Sequence, residues 1–417
     1  MDKGVVSDRI ADPKTYADFD EYHALFSRLR REEPVRWTEP AGYRPFWTVS
    51  RYNDVLEVEK QQNLFISAPR TVLRPIEQEE NIRKVTGSTQ VARTLIQMDE
   101  PDHRLYRALT QAWFMPGRLR DLHESMEQLA ALFIERMEGY NGHCDFVENI
   151  AVWYPLHAVM LILGVPEEDE PLMLRLTRQH FQPSDPSVSK GKEYNAASAA
   201  KELFEYFSEL TAQRRKDPRN DIVSLLADAK VNGEPISEFD RNSYFFVLAV
   251  AGHDTTSASI AGLLQALIEH PDQLARLKAD PSLLDSAIDE GIRWTSPVRH
   301  FFRTATQDYE LGGQKIRAGD SLMVCYPSAN FDDTVFDDPF EFRIDRKPNR
   351  QIAFGFGAHN CLGQHLAKLE MRALFGRLLP RLDSIELAGR PEGLEANFVG
   401  GLRSLPISYQ MRPLASA

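Results

Sequence analysis

Cysteine is scarce: Cys144, Cys325 and Cys361 are the only three among 417 residues. So small and odd a set excludes a disulfide scaffold and suits a reducing compartment, which makes the cytoplasm the expected location. Long hydrophobic runs are missing too, with nothing near the ~18 to 20 apolar residues of a membrane helix. The densest stretches, residues 244–252 and 158–165, are bounded by His253 and Asp254 and by Pro155 and His157. Residues 1–12 are polar, with no apolar segment after Lys3, so no secretory signal is expected. Basic charge is in deficit: 49 Lys and Arg against 61 Asp and Glu leave −12, with no run of five Lys or Arg. That balance tells against a general nucleic-acid binder. There is also no Gly/Ser tract, charge block or internal repeat at which to divide the chain. Its length would allow about two or three domains at ~150 residues each. One domain spanning 1–417 is the better reading, with 1–12 and 413–417 as flexible termini and 183–190 as an interior loop.

What is present is an ordinary globular composition, 42% hydrophobic and 26% charged. Leu366, Leu369, Ala373, Leu374 and Leu378 recur at helical spacing and predict one buried stripe. Residues 238–270 read as a single helix that stops before Pro271, roughly 50 Å long. Strand signals are fewer. Val35–Thr38 and Phe46–Val49 flank a Pro/Gly turn. Tyr309–Leu311, Gln314–Ile316 and residues 321–326 read as a meander, separated by Gly312-Gly313 and residues 318–320. The expected fold class is mainly α with a minor β portion.

Residues 354–363, FGFGAHNCLG, deliver a cysteine to the start of the 366–378 helix. Unpaired N–H groups and the helix dipole there favour a thiolate. The glycines let the backbone turn tightly and approach something flat, with Phe354 packed against it. A free cysteine is more often simply buried. His359, Cys361 and His365 are also close enough for zinc, although no C-x-x-C partner exists elsewhere. Within the long helix, residues 251–256 (AGHDTT) interrupt an apolar run. Either they mark function, or their hydroxyls bond back to i−4 carbonyls.

The pattern F-x-x-G-x-H-x-C-x-G resembles the haem-binding loop of the cytochrome P-450 superfamily. The likeness covers essentially the whole chain and is strongest to the bacterial α-terpineol-hydroxylating group. Supporting runs are residues 153–157 (WYPLH), 255–257 (TTS), 326–330 (YPSAN), 361–370 (CLGQHLAKLE) and 397–401 (NFVGG). The resemblance implies a single-domain fold around a buried haem b, with Cys361 as the axial ligand of its iron. A sulfur ligand favours O–O cleavage. It further implies that Phe354, Gly357 and Gly363 shape the cofactor loop and that Asp254 and Thr255 relay protons. His103, Arg107, Arg303 and His359 are implied as partners of the haem propionates. Glu290 and Arg293, joined by Arg346 of a P-x-x-F-x-x-x-R segment (Pro339, Phe342), are implied as scaffold behind the haem. One departure is Phe331, where the family often has Arg.

By the same resemblance the substrate pocket draws on several segments. They are the loop around 76–94, the helices flanking 183–190, Val247, Val250 and Ala251, Val298 and Phe301, and Phe398 and Val399. Most are apolar or aromatic, which suits a monoterpenoid or a hydrocarbon of similar size; Arg299 and His300 are the polar exceptions. No flavin or nicotinamide motif is present. Electrons are therefore expected from an external NAD(P)H–ferredoxin reductase–ferredoxin chain. A small acidic iron–sulfur ferredoxin would dock on the cysteine side at Arg104, Arg107 and Lys368. A monomeric monooxygenase is the leading expectation. A peroxide-driven haem enzyme has no need of the Asp254–Thr255 relay, and a haem-based sensor would need an output domain that is not evident.

Overall fold

The computed structural model describes residues 3–181 and 196–412. The 183–190 loop and the 413–417 tail lie outside the described residues. Two helices frame the molecule. The long helix Glu238–Glu269 starts at Ser237, whose hydroxyl accepts from the Asp240 N–H at 2.9 Å, and Glu238 and Asp240 favour the positive end of its dipole. It ends at His270, before Pro271, as its sequence predicts. The helices Trp153–Leu163, Ala196–Lys216 and Leu284–Thr295 all pack against it, which is why so many of its residues are apolar and buried. At the first of these contacts a Cβ on Gly252 would stand 2.7 Å from a Val159 methyl, so glycine sets the closeness of approach.

The second frame helix is Gln364–Arg381. All five residues of its expected stripe are buried, and so are Met371, Phe375 and Leu379, because Pro116–Gly139 and Leu284–Thr295 both cover it. Helices outweigh strands throughout, and among the described residues none is long and apolar enough to cross a membrane.

The sheets differ from the expected meander. Tyr309–Leu311 and Gln314–Ile316 pair only with each other, turning through Gly312 and Gly313 at φ +55° and +76°. Ser321–Cys325 instead pairs antiparallel with His300–Ala305 and parallel with Phe46–Val49. Tyr326 already begins a short helix. The main sheet runs, in space, Val35–Thr38, Phe46–Val49, Ser321–Cys325, His300–Ala305 and Phe65–Ile66. Ser321–Cys325 and His300–Ala305 are covered on both faces, so they show apolar runs rather than alternation, and HFFRTA does not announce itself as a strand.

Two local expectations also change. Within the 1–12 segment expected to be flexible, Lys3–Ala11 is helical, and Val6 and Ile10, one turn apart, pack with Tyr16 and Phe26. Phe331 is wholly buried, with Phe19, His23, Trp294 and Phe340 around it and the Arg293 guanidinium 4.8 Å from its ring centre. Where the family often has a cation, this chain has an aromatic cage for one.

Candidate functional site

The cysteine loop is closed by the Cys361 N–H, which donates to the Phe354 carbonyl at 2.8 Å. Gly355 and Gly357 have φ of +70° and +72°, and a Cβ on Gly357 would lie 2.5 Å from the Glu59 carbonyl oxygen. Gly357 is thus required by conformation and by space. A Cβ on Gly363 meets no protein atom within 4 Å and would project into the cavity that Gly363 lines. The N–H groups of Gly363 and Gln364, at the start of the helix, favour the Cys361 thiolate. Burial pushes the Cys361 thiol up, against the pull of those N–H groups and Arg107. The helix terminus expected to favour a thiolate is present, but in the protein alone burial outweighs it. Burial raises the other two thiols as well, Cys144 to about 11. Among the described residues no group of three His, Cys, Asp or Glu is placed to hold a metal ion, so zinc at His359, Cys361 and His365 has no support.

Around the sulfur stand the four residues expected to meet propionates. His103 and Arg107 are one turn apart on the helix Asp102–Thr110, and the Arg107 guanidinium donates to the Asn360 carbonyl at 2.8 Å. The His103 and His359 rings are 4.0 Å apart. His359 Nε2 lies 3.1 Å from the Ser67 hydroxyl, whereas His103 Nε2 is buried with no hydrogen-bond partner. Arg303 reaches Glu59 at 2.7 Å. Burial, then Arg303, His103 and Arg107, push His359 down to about 2; burial and Arg107 likewise lower His103. All four line one cavity together with Phe354, Cys361 and Gly363. An orphaned imidazole nitrogen and crowded cations make a site built for added negative charge, which fits a haem carrying two carboxylates.

Much of the remaining cavity wall is apolar, with Thr255, Thr256, Ser259 and Glu370 as polar members. Val247, Ala251, Val298 and Phe301 line it, as expected, joined by Leu95 and Leu248. Val250, Phe398 and Val399 do not. Val250 faces the helical core, Phe398 packs on the rings of His300 and Phe301, and Val399 lines a second, smaller cavity. The 76–94 segment stops just short: its helix Ile76–Thr86 buries nothing, and the wall begins at Leu95 and Ile96. Neither polar exception points inward. Arg299 lies 5.8 Å from the Tyr22 ring, and His300 Nε2 accepts from the Leu73 N–H at 3.0 Å, burial pushing its pKa down to about 3.

The relay pair is split. Thr255 lines the main cavity, and its hydroxyl donates to the Ala251 carbonyl at 3.1 Å, the i−4 bond of the second reading. Asp254 faces the second cavity with Glu148, Arg178, Ser257 and Arg403, because consecutive helical residues point about 100° apart. One Asp254 oxygen lies 3.1 Å from His253 Nε2 and the other has no hydrogen-bond partner. Burial alone would raise the Asp254 carboxyl, but His253 and Arg178 outweigh it and hold it below the usual range.

Behind the cysteine helix, Glu290, Arg293 and Arg346 come together. Arg293 bonds Glu290 twice, at 2.8 and 2.9 Å, and Arg346 Nε is 3.0 Å from both carboxylate oxygens. The proposed docking cations do not form a patch. Arg107 is turned into the cavity, Lys368 is paired with Asp289 at 2.5 Å, and Arg104 alone of the three is well exposed. Sequence reasoning missed Tyr326 and Glu370, both cavity-lining. Glu370 had a signal: it falls one turn from Leu366 and from Leu374, an acid inside an apolar stripe.

Comparison with known proteins agrees with this arrangement. The family model described as Cytochrome P450 matches residues 181–397. The chain is 43% identical to Cytochrome P450-terp from Pseudomonas sp, over 95% of each chain. It is 33% identical to Linalool 8-monooxygenase of Pseudomonas putida, over 92% of this chain and 95% of that one. The crystal structure of CYP108D1 from Novosphingobium aromaticivorans superposes with a TM-score of 0.92 at 44% identity, covering 98% of this chain and 99% of that one.

Proposed function

This chain belongs to the cytochrome P450 family and is a monooxygenase of that family, and we propose that it inserts oxygen into a C–H bond of a monoterpenoid or a hydrocarbon of similar size. The chain is read as one domain, 1–417, around haem b. When bound, the haem supplies a thiolate-ligated iron at which dioxygen is activated, sulfur favouring O–O cleavage. Cys361 would hold it by its sulfur, and Arg107, Arg303, His103 and His359 would take its propionates, so that neither propionate would be buried without a partner.

The observation that carries the substrate class is the wall made by Leu95, Val247, Leu248, Ala251, Val298 and Phe301. These side chains would orient an apolar molecule by shape and exclude water, and the two polar exceptions read from the sequence are placed elsewhere, Arg299 beside the Tyr22 ring and His300 against the Leu73 N–H. The names of two relatives, P450-terp and linalool 8-monooxygenase, point the same way. Thr255 commits its proton to the Ala251 carbonyl and keeps acceptor capacity inside the cavity. Asp254 would take up protons at its unpartnered oxygen from the Arg178 side of the helix and pass them across to Thr255. Electrons would come from a small acidic ferredoxin fed by an NAD(P)H–ferredoxin reductase, with Arg104 the cation most available to it.

Titration of the ferric holoenzyme tests the substrate class. Monoterpene alcohols and alicyclic hydrocarbons are expected to produce the low-spin to high-spin change, and sugars or dicarboxylates are not. A change produced only by the polar compounds would contradict the proposal.

A further inference from the structure

Glu59 was not among the expected site residues, yet it sits where the site is assembled. It lies near the end of the helix Tyr52–Lys60 with its side chain 1% exposed. One carboxylate oxygen is 2.7 Å from the Arg303 guanidinium as an ion pair, without a hydrogen-bond partner, and the other accepts from the Phe356 N–H at 3.3 Å. Arg303 and Tyr326 line the main cavity, and Phe356 stands between Gly355 and Gly357 in the cysteine loop. The Glu59 backbone takes part as well, since its carbonyl occupies the space a side chain on Gly357 would need. A single residue therefore touches the propionate edge, the cavity wall and the loop that carries the sulfur.

Burying a carboxyl is costly unless charge or donors meet it; here the Arg303 charge and the Phe356 N–H do, opposing a burial that pushes the Glu59 carboxyl up. The four groups expected to meet propionates include two guanidinium groups, and Glu59 is the acid in ion-pair contact with one of them. We propose that Glu59 is a positioning residue of the haem pocket: it fixes Arg303 and the Phe356 turn in one arrangement, and its charge keeps the reduction potential of the bound haem low. This rests on the haem assignment above. The second half follows because a buried negative charge disfavours adding an electron nearby, so the charge balance at the propionate edge is a lever on potential.

The test is a spectroelectrochemical titration of substrate-free holoenzyme in wild type, E59Q and E59D. E59Q keeps the size and an acceptor for the Phe356 N–H but removes the charge, and its midpoint is expected to move positive. E59D keeps the charge and is expected to stay nearer the wild type. An E59Q midpoint equal to the wild type, or an E59D midpoint equal to that of E59Q, would overturn the proposal. If E59Q does not hold haem, the same comparison is made between R303Q and R303Q/E59Q, where no lone guanidinium is left buried. A positive shift on adding E59Q is again expected, and no shift overturns the proposal. The carbon monoxide spectrum of the wild type separates the two readings: without a thiolate-type band the haem assignment itself fails, whatever Glu59 does.

Discussion

Glu290 and Glu370 sit on helices that touch, Leu284–Thr295 and Gln364–Arg381, and neither side chain reaches solvent. Their surroundings are opposite. Glu290 accepts from Arg293 twice, from Arg346, from the Arg343 N–H at 3.1 Å and from the Asn349 amide at 3.2 Å. Glu370 has no hydrogen-bond partner on either oxygen, lines the main cavity, and burial pushes its carboxyl well above the usual range. A buried carboxyl thus has two stable solutions, a full set of donors or a retained proton, and this protein uses both within two adjoining helices. The first builds a rigid scaffold. The second leaves, at the cavity wall, an acid that burial biases toward its protonated form.

The contrast is broken most severely at Glu290. Glu290→Ala would leave two guanidinium groups, Arg293 and Arg346, buried without a countercharge, and the expected loss is about 3–5 kcal/mol. Thermal unfolding of the holoenzyme and the fraction of haem incorporated on expression would measure it. A loss below ~1 kcal/mol would show that the network is ornamental, like many exposed ion pairs.

A smaller effect is expected at Glu370, and it has a sign. A carboxyl whose folded pKa is raised binds its proton more tightly in the folded chain than in the unfolded one. Stability of the wild type should then fall as pH rises above the ordinary glutamate range, until the folded-state value is passed. Glu370→Gln removes that dependence. At acid pH the two proteins should unfold at similar temperatures, and with rising pH the variant should gain by about 1–3 kcal/mol. Parallel curves of unfolding temperature against pH would mean that Glu370 is ionised after all and has donors that the protein's own atoms do not provide.

How much of this was legible beforehand divides along the same line. The cysteine loop, the long helix and the cysteine helix were readable because their determinants are local: turn glycines, a Pro stop and an apolar stripe. The Glu290–Arg293 pair was readable for the same reason, being three residues apart on one helix. Properties that depend on distant segments were not. Nothing local in residues 321–326 says that their partners are residues 300–305 and 46–49 rather than the neighbouring hairpin. Nothing in an apolar Val250 or Val399 says which of two cavities, or neither, it faces. The split between Asp254 and Thr255 was available from helical geometry, but the motif joins the two by adjacency, and adjacency on a helix separates them. Glu59 was invisible for a further reason. On its own helix it is an ordinary acid, and only the return of Arg303 and Phe356 to the same point gives it partners.

Arg299 shows the converse. A lone cation in an apolar region suggested a substrate anchor, yet the structure buries it among Tyr16, Tyr22 and Gly400, away from the main cavity. Its removal leaves Glu370 as the ionisable side chain among the apolar residues of the wall away from the cysteine loop.

The central claim is that Cys361 supplies a sulfur ligand to a haem held in the main cavity. The carbon monoxide complex of the reduced protein tests it most directly, because the position of the Soret band reports the ligand opposite the gas. The wild type is expected to show the far-red band of a thiolate ligand, and Cys361→Ala to lose it. A histidine-type band in the wild type, or a thiolate-type band that survives in Cys361→Ala, would contradict the account.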